Sequence, residues 1–257
     1  MIIKKSENKL SVIMDETRKA YYEKFGYEIA KGKNAGSYVL LNSVMEYILN
    51  VSEGNDKVGK VTCFNFPIEY TCDHCCECYY AKKCYGESGC YQFANNQAKY
   101  SENLWFYNHV TDNEFIQAMQ LAIDIIGYKL FRYFTCGDIP NMRFIEIMVK
   151  LAKDNPNIEF WSYTKKYNLC NKYVSEHGGT IEKAFPKNLV IIFSHWLNDN
   201  GTYFPMDNPY NFPTSEFIPI GKEYLAEKAT FICPCSDPNV IATCETCEHK
   251  CYHLKPG

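Results

Sequence analysis

Short apolar runs alternate with amphipathic segments over most of the chain, and this alternation is the feature that most limits the fold. The runs have the length and composition of β-strands, whereas the segments between them repeat apolar residues at the spacing of an α-helix. Strands are predicted over residues 58–66, 130–135, 158–163, 188–194 and 230–233, and helices over residues 114–126, 142–153 and, more weakly, 173–185. This order of elements is typical of βα units that build a parallel sheet. With only four to six strands, it predicts an α/β fold, a partial and open βα barrel rather than a closed one.

Local signals support two of these assignments. Thr111 is a predicted N-cap, and Glu114 follows it by three residues, as in a capping box, so a helix is expected to begin there. Residues 198–219, which are rich in Pro, Asn and Tyr, are predicted to form a long loop.

Three regions of the chain differ in composition. Residues 1–55 predict a mostly helical amino-terminal extension. Residues 56–230 carry the alternation of strands and helices together with a first group of cysteines. Residues 231–257 carry a second group of cysteines, which we expect to bind metal and to pack on the barrel.

The charge and hydropathy of the chain argue against nucleic acid and membranes as partners of the protein as a whole. The 257 residues have a net charge of −3, so no overall basic field attracts nucleic acid or an anionic membrane. The amino terminus lacks the apolar region of a signal peptide, and the longest apolar runs are too short to cross a bilayer. We therefore expect a cytoplasmic protein with no membrane partner. In that reducing compartment, 14 cysteines indicate metal binding or redox chemistry rather than disulfides.

The first group of cysteines is the stretch TCDHCCECYYAKKCYGESGC at residues 71–90. Cys72, Cys75 and Cys78 have the spacing C-x2-C-x2-C. Thiolates are soft ligands that suit zinc or iron–sulfur clusters. Structural zinc usually takes four ligands, whereas three thiolates can hold a 4Fe–4S cluster and leave one iron open. The spacing favours the open cluster, with zinc as the alternative.

The sequence does not decide which cysteines are the ligands of this first site. Cys76 lies inside the motif, and Cys84 and Cys90 lie just beyond it. Each of the three is an alternative to a proposed ligand.

The second group of cysteines offers four ligands. Cys244, Cys247 and Cys251 have the spacing C-x2-C-x3-C, and Cys233 supplies the fourth thiolate, with Cys235 as its alternative. Four thiolates close a site, which is then structural or transfers electrons. Zinc and a second 4Fe–4S cluster are equally compatible with this spacing.

Several further residues follow the predicted strands directly. They are Cys136-Gly137-Asp138, Tyr163-Thr164-Lys165-Lys166 and Ser194-His195. Because the carboxyl ends of parallel strands meet at one edge of a sheet, these residues and the first group of cysteines are expected to converge there.

Several stretches of the chain are distinctive: VGKVTCFNFP, FRYFTCGDI, NPNIEFWSYTKKY and CETCEHKC. Taken together, they resemble the phage and prophage family catalogued as gene product eighty-eight. The resemblance covers residues 58–251 and leaves the first fifty residues outside. Members of that family look like relatives of radical S-adenosylmethionine enzymes. The resemblance therefore implies a radical-enzyme-like partial barrel, an open 4Fe–4S cluster and S-adenosylmethionine as cofactors.

The resemblance also implies roles for individual residues. Cys72, Cys75 and Cys78 would hold the open cluster, and Cys233, Cys244, Cys247 and Cys251 the second metal site. Gly137 and Asp138 would lie beside the methionine amino group. Tyr163, Thr164, Lys165 and Ser194 would line the neighbouring strand ends, with Lys165 pairing with the methionine carboxylate.

Two functions from different classes follow. The first is an enzyme that cleaves S-adenosylmethionine reductively to a 5′-deoxyadenosyl radical, with an electron donor as partner and a substrate that the sequence does not identify. The second is a non-catalytic iron–sulfur or zinc protein that binds nucleic acid or a partner protein. In it, aromatic residues within residues 91–107 would form a stacking surface. The sequence predicts no oligomeric state.

Some of these residues also have ordinary structural interpretations. Asp138 is a candidate N-cap for the helix that begins near Met142, and Arg132 is a candidate partner of a core carboxylate. Cys136 and Cys170 stand apart from the other cysteines in the sequence and are expected to be ordinary buried thiols.

Overall fold

The computed structural model describes residues 49–55, 58–72, 84–87, 89–196, 205–217 and 242–254. The helices predicted within residues 1–48 and the strand predicted at 230–233 lie outside the described residues. The same holds for Cys75, Cys76, Cys78, Cys233 and Cys235.

Six strands form one sheet in the described part of the chain, and their order in the sheet is their order in the sequence. The strands are β1 (Val51–Ser52), β2 (Thr62–Phe64), β3 (Leu130–Tyr133), β4 (Glu159–Thr164), β5 (Leu189–Trp196) and β6 (Thr214–Phe217). β1 is antiparallel to β2, and all later neighbours are parallel. β1 and β6 are the edges, so the predicted α/β class and the open sheet are confirmed.

The helices of the described residues lie between the parallel strands. They are α1 (Ile68–Thr71), α2 (Ala94–His109), α3 (Asp112–Ile126), α4 (Met142–Asp154), α5 (Tyr167–Glu176) and α6 (Ile181–Ala184). α1 to α3 connect β2 with β3, α4 connects β3 with β4, and α5 and α6 connect β4 with β5. Helical turns of the 3-10 type occur at Tyr85–Glu87, Gly89–Gln92 and Cys251–His253.

One face of the sheet carries the main hydrophobic core. Right-handed crossovers between strands in sequential order put every connecting helix on the same face. Phe64, Phe131, Phe160 and Phe193 of the strands accordingly share one buried cluster with residues of α2 to α6, among them Phe144. The helices therefore cover one face only and leave the other to a different part of the chain.

The opposite face is covered by residues 242–254. In register across the sheet, Cys63, Arg132, Trp161 and Val190 form a row on this face. Tyr252 is buried against it, with its ring centroid 5.3 Å from that of Trp161. Cys244 and Cys251 are thereby placed on the face that the helices leave uncovered.

Local chemistry explains the best-predicted helix boundary. Thr111 accepts a hydrogen bond from the Glu114 amide, and the Glu114 side chain accepts one from the Thr111 amide, so the predicted capping box is present. α3 begins at Asp112, two residues earlier than predicted.

Several predicted elements were wrong in extent or kind. The helix predicted at 173–185 is interrupted, because Gly178 and Gly179 have φ of 102° and 74°, values that few other residues adopt. The long loop predicted at 198–219 contains β6, and the strand predicted at 58–66 is limited to β2. α2 was not predicted. No helix among the described residues is long and apolar enough to cross a membrane.

Candidate functional site

Cys72 lies at the carboxyl edge of the sheet. Pro67 follows β2 and starts the single turn of α1, and the amide of Cys72 donates to the carbonyl of Ile68 at 3.0 Å, which ends that turn. The first cysteine of the predicted motif therefore lies where the chain leaves the sheet, just beyond β2, the first of the parallel strands.

A thiol that the sequence separates from this group lies beside it in the fold. Cys136 is buried in a cluster with Ile68 and Tyr100, and Cys72 packs against the same cluster. The sulfur atoms of Cys84 and Cys136 lie 3.4 and 3.5 Å from the point where a Cβ would stand on Gly86. Burial raises the pKa of the Cys136 thiol to about 12, and the neighbouring Cys84 adds to the increase. Cys136 is thus buried, as predicted, but it is not isolated from the other cysteines.

Asp138 holds the ends of neighbouring strands together. Its carboxylate accepts hydrogen bonds from the Thr164 hydroxyl at 2.6 Å, the Ile139 amide at 2.7 Å and the Lys165 amide at 2.9 Å. Its own amide donates to the Thr71 hydroxyl at 3.1 Å. Burial raises the pKa of Asp138, while the hydrogen bonds from Lys165 and Thr164 oppose the increase. The carboxylate and the Thr164 hydroxyl are thus engaged with the chain itself.

Gly137 is required by the packing of these strand ends. Its φ is 85°, and a Cβ there would stand 2.5 Å from the carbonyl oxygen of Phe66. The backbone of Phe66 therefore makes the close approach that the lack of a side chain at Gly137 permits. The N-cap interpretation of Asp138 was wrong, because Asn141 caps α4 and accepts from the Phe144 amide at 3.2 Å.

Sequence reasoning missed an asparagine network at the same edge. Asn65 accepts from the Thr135 hydroxyl and from the Cys136 amide, both at 2.8 Å. Asn103 of α2 donates to the carbonyls of Asn50 and Asn65 and accepts from the Asn50 amide. Both asparagines are buried. A polar residue in an otherwise apolar environment was the signal available, but its partners are remote in sequence.

Tyr163 and Ser194 belong to the other face of the sheet. Alternation along β4 separates Tyr163 from Thr164, and Tyr163 packs instead with Cys244 and Cys251. The Arg132 guanidinium lies 5.0 Å from the centre of the Tyr163 ring. Burial raises the pKa of Tyr163, a hydrogen bond to Cys251 adds to it, and Arg132 opposes it. The predicted cofactor contacts are thus divided between two faces.

The described cysteines of the second group lie on that same face. The amides of Thr246 and Cys247 donate to the Thr243 carbonyl at 3.1 and 2.8 Å, which forms a turn between Cys244 and Cys247. Burial raises the pKa of Tyr252, and Glu159 and the thiols of Cys247, Cys244 and Cys251 add to the increase. This donor set has the chemistry of a soft-metal site. In the described ranges, however, no three His, Cys, Asp or Glu side chains come close enough together to hold an ion.

Three of the six aromatic residues within residues 91–107, the region predicted to stack on nucleic acid, are buried and unavailable. Tyr100, Phe106 and Tyr107 are buried in the hydrophobic clusters. Phe93 is 63% exposed, and Tyr70, which lies two residues before Cys72, is 76% exposed. These two side chains flank the cysteine-bearing stretch in the sequence.

The described residues thus define an open α/β protein with thiol-bearing segments at the carboxyl edge of its sheet and on the face without helices. The chain belongs to the Gene product 88 family, whose model matches residues 30–204. No curated protein and no solved structure is similar enough to match it. The extent predicted for the resemblance, residues 58–251, was wrong at both ends. The match begins within the amino-terminal region and ends before the second group of cysteines.

Proposed function

We propose that the protein is an iron–sulfur enzyme of the radical S-adenosylmethionine type. Cys72, Cys75 and Cys78 would hold a 4Fe–4S cluster whose fourth iron is open. With an electron donor to reduce it, the cluster would supply the reductive cleavage of S-adenosylmethionine to methionine and a 5′-deoxyadenosyl radical, which would take a hydrogen atom from a substrate. The cofactor supplies the difficult chemistry, and the protein supplies position and protection.

The position of Cys72 is the single observation that supports this proposal. Cys72 lies at the carboxyl edge of the sheet, directly after the turn of α1 that follows β2, the first of the parallel strands. In open parallel sheets, ligands bind in the crevice outside this edge. The Lys165 backbone lies at the same edge, where its amide binds Asp138.

The contacts of the described residues refine the roles proposed for the site. Asp138 and Thr164 act as the scaffold that fixes the strand ends, since their polar atoms already bind each other. Lys165 remains the proposed partner of the methionine carboxylate. Tyr163 and Ser194 are better assigned to the side of the sheet that carries Cys244 and Cys251.

The metal content of protein purified without oxygen tests the proposal. We expect about eight irons with matching sulfide for two clusters, or about four irons and one zinc if the second site is closed by zinc. Cys72→Ala should lose about four irons, whereas Cys170→Ala, which removes a thiol buried among the helices, should keep them. Zinc without iron would contradict the iron–sulfur proposal.

The catalytic step has a separate test. Reduced, iron-loaded protein with S-adenosylmethionine should release 5′-deoxyadenosine, and Cys72→Ala should not. An iron-loaded protein that makes none, with or without candidate substrates, would leave an iron–sulfur protein that is not a radical enzyme.

The exposed aromatic side chains favour a second candidate function, a metal-stabilised module that binds single-stranded nucleic acid. Tyr70 and Phe93 are large, exposed and close in sequence to the cysteines, and base stacking on an aromatic ring contributes about 1–3 kcal/mol. Gel shifts at low salt should show binding that Tyr70→Ala and Phe93→Ala each weaken. Absence of binding by the metal-loaded protein would exclude this candidate.

A further inference from the structure

A histidine and a glutamate meet on the surface where α4 lies beside the end of α5. Glu146 belongs to α4, and His177 is the C-cap residue of α5. The Nε2 atom of His177 lies 3.2 Å from the Oε1 atom of Glu146. Solvent reaches both groups, because the His177 side chain is 38% exposed and the Glu146 side chain is 52% exposed.

The ring of His177 is fixed in one tautomer and one orientation. Its Nδ1 atom lies 2.8 Å from the backbone carbonyl oxygen of Tyr173. A carbonyl oxygen only accepts hydrogen bonds, so Nδ1 carries the hydrogen and the neutral ring has its lone pair on Nε2. The ring also stacks on that of Tyr173, with the centroids 3.9 Å apart and an angle of 18° between the planes. The nitrogen that faces Glu146 is therefore the one that can bind a cation.

The carboxylate of Glu146 is oriented by the same tyrosine. The Tyr173 hydroxyl donates to its Oε2 atom at 3.2 Å, which leaves Oε1 to face His177. Two atoms that both present lone pairs repel each other at this distance unless they share a proton or a metal ion. His177 also lies at the carboxyl end of α5, where the helix dipole favours a positive charge.

We propose that His177 and Glu146 form a binding site for a divalent transition-metal ion such as Zn²⁺, with Nε2 and Oε1 as its ligands. Zinc binds a histidine nitrogen at about 2.0–2.1 Å and a carboxylate oxygen at about 2.0–2.2 Å. With the two ligand atoms 3.2 Å apart, these bonds enclose an angle of about 100° at the ion, between the octahedral and tetrahedral values. A ring N–H that donates to a backbone carbonyl is the usual second contact of a metal-binding histidine.

The rest of the coordination shell is assigned to water. Within the described ranges no third histidine, cysteine or acidic side chain completes a group of three. The ion would therefore be open to solvent on one side and would tie α4 to the end of α5 on the other.

This site is independent of the proposed radical chemistry. It uses no cysteine, and it would exist in a binding protein as well as in an enzyme. Its failure would leave the iron content and the formation of 5′-deoxyadenosine untouched.

His109 at the end of α2 provides a control within the same chain. Its Nδ1 atom lies 2.7 Å from the Trp105 carbonyl oxygen, and its ring stacks on the Trp105 ring with the centroids 3.9 Å apart. No carboxylate in the described part of the chain forms an ion pair with it. His109 therefore has the same fixed ring as His177 but lacks the second ligand.

Protection of single histidines from diethyl pyrocarbonate, which modifies an unprotonated ring nitrogen, tests the proposal. Full-length protein is treated with the reagent over a series of Zn²⁺ concentrations, and mass spectrometry of the peptides follows the modification of His177 and His109. Because each peptide is measured separately, zinc bound by the cysteines does not enter the result. We expect zinc at ten times its dissociation constant to slow the modification of His177 about tenfold, since about one site in ten is then free. His109 should change little.

Two variants and a matched control make the assignment specific. Glu146→Gln removes the carboxylate ligand, and Tyr173→Phe keeps the stacked ring but removes the hydroxyl that orients Glu146. Each should raise the zinc concentration that half-protects His177 at least about tenfold. Glu176→Gln should leave that concentration unchanged, because Glu176 precedes His177 but pairs with Lys172 at 3.8 Å.

Three results would overturn the proposal. No protection of His177 by zinc would show that His177 and Glu146 form only an ion pair. Equal protection of His177 and His109 would show that a fixed histidine binds zinc without the carboxylate. Equal half-protecting concentrations in Glu146→Gln and Glu176→Gln would show that zinc reaches His177 through other ligands. Far-ultraviolet circular dichroism of each variant separates these results from a loss of folding.

Discussion

The carboxylate of Asp138 shows at the scale of one residue how the strand ends are fixed. One of its oxygens accepts from the Thr164 hydroxyl and the Ile139 amide, and the other accepts from the Lys165 amide. An asparagine has the same shape but only one accepting oxygen, so its NH₂ group would face one of these donors. A buried donor left without an acceptor costs about 1–3 kcal/mol.

Asp138→Asn should therefore lower the free energy of unfolding by about 1–3 kcal/mol in urea titrations. Asp154→Asn is the matched control, because Asp154 is partly exposed and pairs with Lys150 on the surface of α4. Exposed pairs of this kind contribute about 0.3–0.5 kcal/mol. Equal effects of the two substitutions would show that the Asp138 hydrogen bonds do not stabilise the edge.

Tyr133 presents the opposite case. Its hydroxyl is buried on the helix side of β3, and no group of the described residues forms a hydrogen bond with it. Tyr133→Phe should leave the free energy of unfolding unchanged or raise it by about 1 kcal/mol, because the desolvation of an unsatisfied hydroxyl is relieved. Tyr107→Phe is the control that should destabilise by about 1 kcal/mol, since the Tyr107 hydroxyl donates to Asn141 at 2.6 Å. A substantial loss in Tyr133→Phe would mean that this hydroxyl has a partner outside the described residues.

At the scale of the element, α3 owes its first turn to its capping box. Thr111→Ala removes the side-chain acceptor of the Glu114 amide and should cost about 1 kcal/mol in urea titrations. Thr180→Ala is a control at the same kind of position, because Thr180 is the N-cap of α6 and its side chain forms no capping hydrogen bond in the described structure. If both substitutions cost the same, the loss would come from the residue type and not from the box.

One of the contacts that hold the carboxyl-terminal segment on the sheet is aromatic and can be tested directly. Tyr252 is buried against Trp161, whereas its neighbour His253 is exposed and pairs with Glu159 at 3.4 Å. Tyr252→Ala should lower the free energy of unfolding by about 3 kcal/mol, the range of buried aromatic truncations. It should also speed proteolysis of residues 242–254. His253→Ala should change either measurement little. An unchanged proteolysis rate in Tyr252→Ala would argue that this segment is held by other contacts.

At the scale of the whole molecule, local signals were predictable and remote contacts were not. The capping box of α3 and the strong amphipathic pattern of α4 depend on residues that are close in the sequence. The bounds of both helices were predicted to within two residues. α2 was missed because its sequence ANNQAKYSENLWFYNH has little apolar periodicity, so it is helical through Phe106 and Tyr107 in the core. β6 was missed because its sequence TSEF is mostly polar and its strand conformation comes from pairing with β5.

The candidate site shows the same division. The position of Cys72 at the carboxyl edge followed from the alternation of strands and helices. That Cys136 lies beside Cys84 depends on Gly86 and Ile68, which no spacing connects to β3. That Tyr163 and Thr164 lie on different faces follows from the two-residue repeat of a strand once the bounds of β4 are known.

Buried thiols and phenols together predict how the stability of the molecule depends on pH. Burial raises the pKa of Cys63 to about 11 and of Cys136 to about 12, from 9.0 for an exposed thiol, and raises the pKa of Tyr100 and Tyr133 above 10.0. The folded protein therefore keeps protons that the unfolded chain has released. Stability from these groups is fully present below about pH 9 and is lost as the pH rises towards the folded values.

The free energy of unfolding should be nearly constant from about pH 7 to about pH 8.5 and then fall. Each group contributes a slope of about 1.4 kcal/mol per pH unit once the unfolded chain has lost its proton. Urea titrations up to about pH 10.5 measure this slope. In Cys63→Ala the slope above pH 9 should be smaller by about one group, although the variant is less stable at every pH because it leaves a cavity. A slope that is the same in both proteins would mean that Cys63 ionises as readily in the folded protein as in the unfolded chain. That result would place water, or a metal-stabilised thiolate, on the face of the sheet that Cys63 shares with Arg132.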